Sequence, residues 1–360
     1  MKIVIVSFLN EDVSQGPNWS VPARIQALEK IDDVLWLNCN ECYLNHWGNT
    51  RCFHKLAEFG KLCLSVFPQE FRKPDCVIFE DFYHIEYVKF SKELIRKKIP
   101  YIIVPRGAMT QMAQKSKYIK KYIGNILLFN HFASHAQAIQ YLTTKEKDDS
   151  GKKWNTNYII CPNGFATPGI SKTHFSQQGL LAVTIGRLNT YHKGYDLLIS
   201  AISQAREALS DAGFSLTIYG EKNRDYPELA KKVEDLHLAK IISFGGLISG
   251  KIKERVLLDA DLFIMTSRFE GHPMGLIEAL SYGVPCLVTP GTNMSTEIKQ
   301  EDAGWTCACS VDSIADGLQR MIEEKKTLLE KSCNARRLAT KYDWGLLAER
   351  FHDDLLNALK

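Results

Sequence analysis

Eight short apolar runs recur along the chain: "KIVIVSF", "CVIFE", "YIIVP", "LLAVTIG", "SLTIYG", "IISFGG", "LFIMTS" and "PCLVTP". They read as buried parallel strands, because without polar alternation both faces must be covered, and helices are what cover them. Helical patterns fill the gaps. "YDLLISAISQAREALSDAG" is ended by Gly213, and "DYPELAKKVEDLHL" carries Pro227 near its first turn. Strand, helix, strand repetition in both halves predicts an α/β architecture of two doubly wound sheets with right-handed crossovers. The length agrees, since 360 residues exceed what one hydrophobic core usually supports.

The boundary is expected in "CPNGFATPGISKTHFSQQG", where Pro162, Asn163, Gly164, Pro168 and Gly169 punctuate the chain and no apolar period survives. This sets domains at 1–170 and 171–340. The remaining 341–360 contain "WGLLAERFHDDLLNAL", an amphipathic helix expected to pack on a domain, with a return to the N-terminal one in view. The opening "MKIVIVSFL" is too short for a membrane span, has no small-residue cleavage site behind it, and reads as a first strand. Ten cysteines scattered through apolar segments lack a disulfide framework, so a reduced, cytoplasmic chain is expected. Cys39, Cys42 and His46 have no second pair to complete a zinc site.

Chemistry concentrates in "SRFEGHPMGLIEALSYGVP", residues 267–285. Gly271, Pro273 and Gly275 argue for a loop giving way to a helix, with Glu270 on the loop and Glu278 one turn inside. The preceding strand ends here, and open parallel sheets collect ligands at the carboxyl ends of their strands. Pro273 suits the first helical position, and Gly275 would let a ligand approach. Free amides at Met274, Gly275 and Leu276 would then form a phosphate site. "GRLNTYHKGYDLL" supplies cations: Arg187 directly after a strand, and Lys193 before Gly194. Together they could clamp a diphosphate, and each alone also fits a solvated surface position. Carboxylates repel phosphate, so both glutamates should meet neutral donors such as sugar hydroxyls. Glu278 is placed for a ribose diol and Glu270 for the group beyond the phosphates, a surface or capping carboxylate being the alternative for Glu270.

"GRLNTYHKGYDLLISA" followed by "SRFEGHPMGLIEALSYGVPCLVT" resembles the donor-binding half of the retaining GT-B glycosyltransferases of glycosyltransferase family four, with "IPYIIVPRGAM" and "CPNG" as anchors in the first half. That family shows an Arg and a Lys early in the second domain, then two glutamates separated by seven residues. The resemblance implies a GT-B fold, two Rossmann-like domains facing a central cleft. It implies that Arg187 and Lys193 hold the donor diphosphate, that Glu278 takes the ribose and that Glu270 takes the transferred sugar. Gly271, His272, Pro273, Met274, Gly275 and Leu276 would line the phosphates, and Gly246 and Leu247 the base. It further implies no metal and no cofactor, the substrate being a nucleoside-diphosphate sugar and the side-chain cations replacing an ion.

In the first half the resemblance brings the loop of Gly16 across to the phosphates and the acceptor. The family usually shows a His after a later strand. This chain has "VIFEDFYH" and "IIVPRGAM" there, which leaves Glu80, His84 and Arg106, with Arg106 favoured because it follows directly on a strand between Pro105 and Gly107. The alternative is an Arg that bonds the neighbouring loop. Expected partners are a nucleotide sugar and a glycan or lipid-linked acceptor in bacterial surface polysaccharide synthesis, with no nucleic acid. The alternatives are a non-catalytic nucleotide-sugar binding protein and an epimerase of similar fold. A nicotinamide oxidoreductase is disfavoured, since no G-x-G-x-x-G follows "KIVIVSF".

Charge adds one expectation. Residues 1–170 carry 22 Lys and Arg against 16 Asp and Glu, a net of +6, and residues 171–360 carry 23 against 25, a net of −2. The excess is densest between Glu86 and Lys121, with ten basic residues and two acidic. "AQKSKYIKKYIGNILLFNHF" mixes Lys115, Lys117, Lys120 and Lys121 with aromatic and aliphatic residues. It resembles an interfacial helix on an anionic leaflet, which would make the protein peripheral on the inner face of the plasma membrane. A core-facing helix with a solvated lysine face is the alternative.

Overall fold

The computed structural model describes residues 1–12, 15–176 and 178–360. The chain divides into two compact units, one of residues 1–164 with 344–360, the other of residues 165–343.

The first unit holds a seven-stranded sheet of β1 (Lys2–Ser7), β2 (Asp33–Asn38), β3 (Phe53–Lys55), β4 (Cys76–Glu80), β5 (Tyr101–Val104), β6 (Ala138–Tyr141) and β7 (Tyr158–Ile160). Their order across the sheet is β3-β2-β1-β4-β5-β6-β7, every pair parallel. Runs such as Ile3–Ser7 and Cys76–Glu80 are buried throughout, as two covered faces require. The helix Pro17–Leu28 and the last helix, Trp344–Ala358, pack over the same face, where Val21 and Ile25 share a core with Phe351 and Leu355.

The second unit holds six parallel strands, β8 (Leu180–Ile185), β9 (Phe214–Tyr219), β10 (Ile242–Gly246), β11 (Leu262–Met265), β12 (Cys286–Val288) and β13 (Gly304–Thr306). They run β10-β9-β8-β11-β12-β13 across the sheet. The chain steps outward from β8 to β10, then crosses back to β11 beside β8. That reversal makes the carboxyl ends of β8 and β11 the place where an open α/β sheet binds ligands. β9 and β10 do alternate, with one face less covered than the other, because they lie at and next to an edge of the sheet.

Two expected helices differ in detail. The run after Gly194 bends at Ala205 into Tyr195–Gln204 and Arg206–Asp211, although hydrogen bonds continue across the bend. The lysine-rich run forms Gln111–Lys115, Tyr118–Gly124, a π turn at Asn125–Phe129 and Asn130–Ser134, with Lys117 left-handed at φ 53°. Among the described residues no helix is long and apolar enough to cross a membrane.

Candidate active site

β8 ends at Ile185, and Gly186 and Arg187 continue from it. The chain turns through the short helix Thr190–Lys193, started by the Asn189 side chain accepting from the His192 amide at 2.8 Å. Gly194 then adopts φ +67°, and a Cβ there would lie 2.2 Å from the Thr266 carbonyl oxygen, so only glycine brings this turn against the end of β11. Gly186 has a related role: a Cβ on it would lie 3.2 Å from Lys193 Cε. The lysine stem therefore lies across the exit of β8.

Its ammonium reaches Glu270. Lys193 Nζ donates to Glu270 Oε1 at 2.6 Å, and Ser267 Oγ donates to the same oxygen at 2.7 Å. His192 Nε2 stands 3.9 Å from Oε2, with its ring stacked on Phe269 at 4.3 Å. Burial pushes the Glu270 carboxyl up, but Lys193 and then His192 outweigh it and hold the group below the usual carboxylate range. His192 is pulled down, first by burial and then by Lys193 and Arg187, with Glu270 opposing.

The loop that carries Glu270 is braced from three sides. The Asn293 amide donates to the carbonyls of Glu270 and Gly271, the Thr289 hydroxyl donates to Ser267 O at 2.6 Å, and a Cβ at Gly291 would collide with Ser267 and Arg268. Arg268 forks onto Asp196 with two bonds of 2.7 Å and donates to Tyr191 O, tying this loop to the Lys193 turn. Ser267, Arg268 and Asn293 were not singled out from sequence. Ser267 sits three residues before the acid it donates to, whereas Asn293 had no sequence signal beyond its tolerance of φ 62°.

The next helix, Met274–Ser281, starts without a side-chain cap. Pro273 is its N-cap, one position earlier than expected. Of the three amides expected to be free, that of Leu276 donates to Pro273 O at 3.1 Å, and the Leu276 side chain is buried; Met274 and Gly275 precede that first bond. The close approach at Gly275 is to the protein itself, since a Cβ there would lie 3.2 Å from Ile185 O. The helix start is thereby set against the exit of β8, beside Gly186. His272 is buried, its ring 5.1 Å from that of Tyr342.

Glu278 lies one turn into that helix, and its carboxylate is ion-paired with Lys253, on the helix Gly250–Asp259. Burial raises the Glu278 pKa and Lys253 only partly opposes it. Lys253 was missed because nothing local marks it: it lies 25 residues away on an ordinary amphipathic helix. The structure thus gives each glutamate its own lysine. Arg187 is exposed at the strand exit and, among the described residues, forms no ion pair. At the end of β10 the register shifts between Phe244 and Gly246, Gly245 lies over the Tyr219 ring, Gly246 takes φ +71° and Leu247 is 52% exposed.

In the first unit, Glu80 at the end of β4 is buried between two guanidinium groups. Arg24 pairs with Oε1, and Arg106 Nε donates to Oε2 at 2.7 Å while its NH1 donates to Ser20 Oγ at 3.2 Å. Arg106, 10% exposed, is thereby bonded to the end of β4 and to the helix Pro17–Leu28 rather than to the neighbouring loop. His84 stacks on Phe8 at 4.0 Å and lies 3.6 Å from Asp81, between the ends of β1 and β4 where this sheet reverses order. Gly16 precedes the helix Pro17–Leu28 with φ −54°, a conformation open to any residue. Among the described residues no group of three or more His, Cys, Asp or Glu could hold a metal. His46 Nε2 is instead bonded to Asn18 O at 2.8 Å, and Cys42 Sγ donates to Leu9 O.

Residues 170–338 match the family described as Glycosyl transferases group 1. Mannosylfructose-phosphate synthase of Agrobacterium fabrum is 34% identical over 134 residues, 36% of this chain and 29% of that protein. The amylovoran biosynthesis glycosyltransferase of Erwinia amylovora is 31% identical over 165 residues, 42% of this chain and 44% of that one. The matched stretches thus span less than half of these relatives. Among solved structures, Anabaena HepE in complex with UDP and glucose superposes with a TM-score of 0.75 at 14% identity, covering 99% of this chain and 100% of that one. TarM gives 0.74 at 14%, covering 98% of each. Residues 170–338 are thus similar to the glycosyl transferases group 1, and the chain's two parallel sheets are those of the GT-B glycosyltransferase fold.

Proposed function

We propose that this protein transfers a hexosyl group from a nucleoside-diphosphate sugar to a hydroxyl of a glycan or lipid-linked acceptor, retaining the anomeric configuration and using no metal, in the synthesis of a bacterial surface polysaccharide. The observation that carries this is the Lys193–Glu270 pair at the exit of β8, beside an uncapped helix start. The relative named for amylovoran biosynthesis, and a superposable TarM complex holding UDP and alpha-GlcNAc-glycerol, support the substrate class.

In this reading the diphosphate lies between Arg187, Lys193 and the Met274 and Gly275 amides, where the helix dipole and two cations stabilise the charge that develops on departure. The sugar lies on the Glu270 side. Glu278 accepts from the ribose, and the base lies over Gly246 and Leu247. The bond from the anomeric carbon to the phosphate oxygen breaks as the acceptor oxygen bonds the same face, and the acceptor proton passes to a phosphate oxygen. A glycosidase scheme needs two carboxylates flanking the reacting bond, and Glu278 is given to the ribose instead.

The test has two steps. A panel of nucleotide sugars is screened for the one that raises the melting temperature, and that donor is then given acceptors, with the product's anomeric configuration read by NMR. Retention, a rate unchanged by chelator, and a fall of about 100-fold in kcat/KM for Lys193→Ala are expected. Near wild-type turnover of Lys193→Ala, or an inverted product, would refute it.

A further inference from the structure

One segment of the first unit has its amphipathicity turned inside out. Along residues 118–129 the inward positions are Lys121, Asn125 and Phe129, four apart. Lys121 Nζ donates to Ala113 O at 2.5 Å and lies 5.1 Å over the Tyr83 ring. Asn125, Gln114 and Tyr83 bond one another at 2.9 to 3.2 Å, and Phe129 packs 4.9 Å from Tyr83. The polar stripe is thus consumed inside.

The outward positions are Tyr118, Ile119, Tyr122, Ile123, Ile126 and Leu127, each between 52% and 74% exposed. A helix packed on its apolar face would show the reverse, so the core-facing alternative fails. Six large apolar side chains within ten residues form a patch that calls for a covering surface.

Charge selects what covers it. Residues 94–145 contain nine Lys and Arg and no Asp or Glu, and Lys115, Lys117 and Lys120 are exposed around the patch. Lysine is depleted at protein interfaces, whereas aliphatic and Tyr side chains flanked by lysines suit the boundary between lipid headgroups and acyl chains. We infer that residues 118–127 dock on an anionic lipid bilayer, with the aliphatic side chains among the headgroups and Lys115, Lys117 and Lys120 on the phosphates. The inference stands apart from sugar transfer, and its test needs no donor.

The full chain is sedimented with vesicles of phosphatidylcholine alone and with added phosphatidylglycerol, across a salt series. Binding to the anionic vesicles that weakens with salt is expected. Lys115→Ala, Lys117→Ala and Lys120→Ala combined should lower affinity by about fivefold per lysine. Ile119→Ser with Leu127→Ser, exposed changes that leave the inner stripe intact, should abolish binding with an unchanged melting temperature. No sedimentation with anionic vesicles at low salt would overturn the inference. So would vesicle binding that both variants leave unchanged, or a dimer in solution that the Ile119→Ser, Leu127→Ser protein loses, which would make the patch an interface between copies.

Discussion

Glu270 and Glu278 are the same side chain eight positions apart, yet their surroundings drive them in opposite directions. Glu270 has Lys193, His192 and Ser267 against the burial penalty, and its pKa falls below the ordinary 4.5; Glu278 has Lys253 alone, and its pKa rises. The lowered value of Glu270 means that its ion pair stabilises the fold above the unfolded pKa and is lost as pH falls through the folded one. Glu278 behaves in the opposite sense: its ionised form is disfavoured in the fold, and acidification relieves that cost. If Glu278 holds the ribose and Glu270 the sugar, acidification should first raise the donor KM and only at lower pH depress kcat. Glu278→Gln should raise that KM about tenfold, one lost charge-assisted bond, and remove the early limb of the profile. A kcat limb that precedes the KM limb would refute the assignment. Lys193 and Glu270, which the structure brings together, were legible in the sequence because they flank strand ends and glycines. Lys253 and Asn293 were not, because each is brought in by a fold contact from more than twenty residues away.

At the level of elements, the eight apolar runs found β1, β4, β5, β8, β9, β10, β11 and β12: strands buried on both faces cannot hide their composition, and β9 and β10, less covered on one face, still carry an apolar run. The remaining five were missed for local reasons. β3, β7 and β13 are three residues long, β6 carries the buried Gln140, and β2 opens on an exposed Asp33. What anchors β8 was equally invisible. Asp261, just before β11, accepts from the amides of Ser176 and Leu181 at 3.0 Å each and pairs with Lys172 at 3.3 Å, with Asp261 and Lys172 both buried. Burial pulls the Lys172 pKa down and Asp261 pulls it back. Asp261→Ala leaves a buried ammonium without its counter-charge and two amides unpartnered, so a loss of about 3 to 5 kcal/mol is expected in denaturant unfolding of the second unit. Asp261→Asn, which keeps an acceptor oxygen for one of the two amides, should lose less. Equal losses would mean that the carboxylate charge opposite Lys172 accounts for the effect and the amide bonds add nothing.

Across the whole molecule, the order of the chain and the order of the units disagree: the second unit is inserted into the first, because residues 344–360 return to complete the core begun by residues 1–164. Trp344, Leu347, Phe351 and Leu355 are all buried there, the Arg24 guanidinium lies 5.2 Å over the Phe351 ring, and His352 Nδ1 reaches the fully buried Asp32 at 2.9 Å, which also pairs with the N-terminal ammonium at 2.7 Å. Four such side chains contribute about 2 kcal/mol each, roughly 8 together. That matches the whole net stability of a typical domain, about 5 to 15 kcal/mol. Truncation after Asp343 should therefore unfold or loosen the first unit while leaving the second unit's own core intact. Hydrogen exchange reads this directly: amides of β1 and of the helix Pro17–Leu28 should lose protection, and those of β8 and β11 should keep it. Phe351→Ala in the full chain is the milder version, expected to cost about 3 to 5 kcal/mol and to speed exchange in the same segments. Unchanged protection in β1 after truncation would show that the first sheet holds without its returning helix.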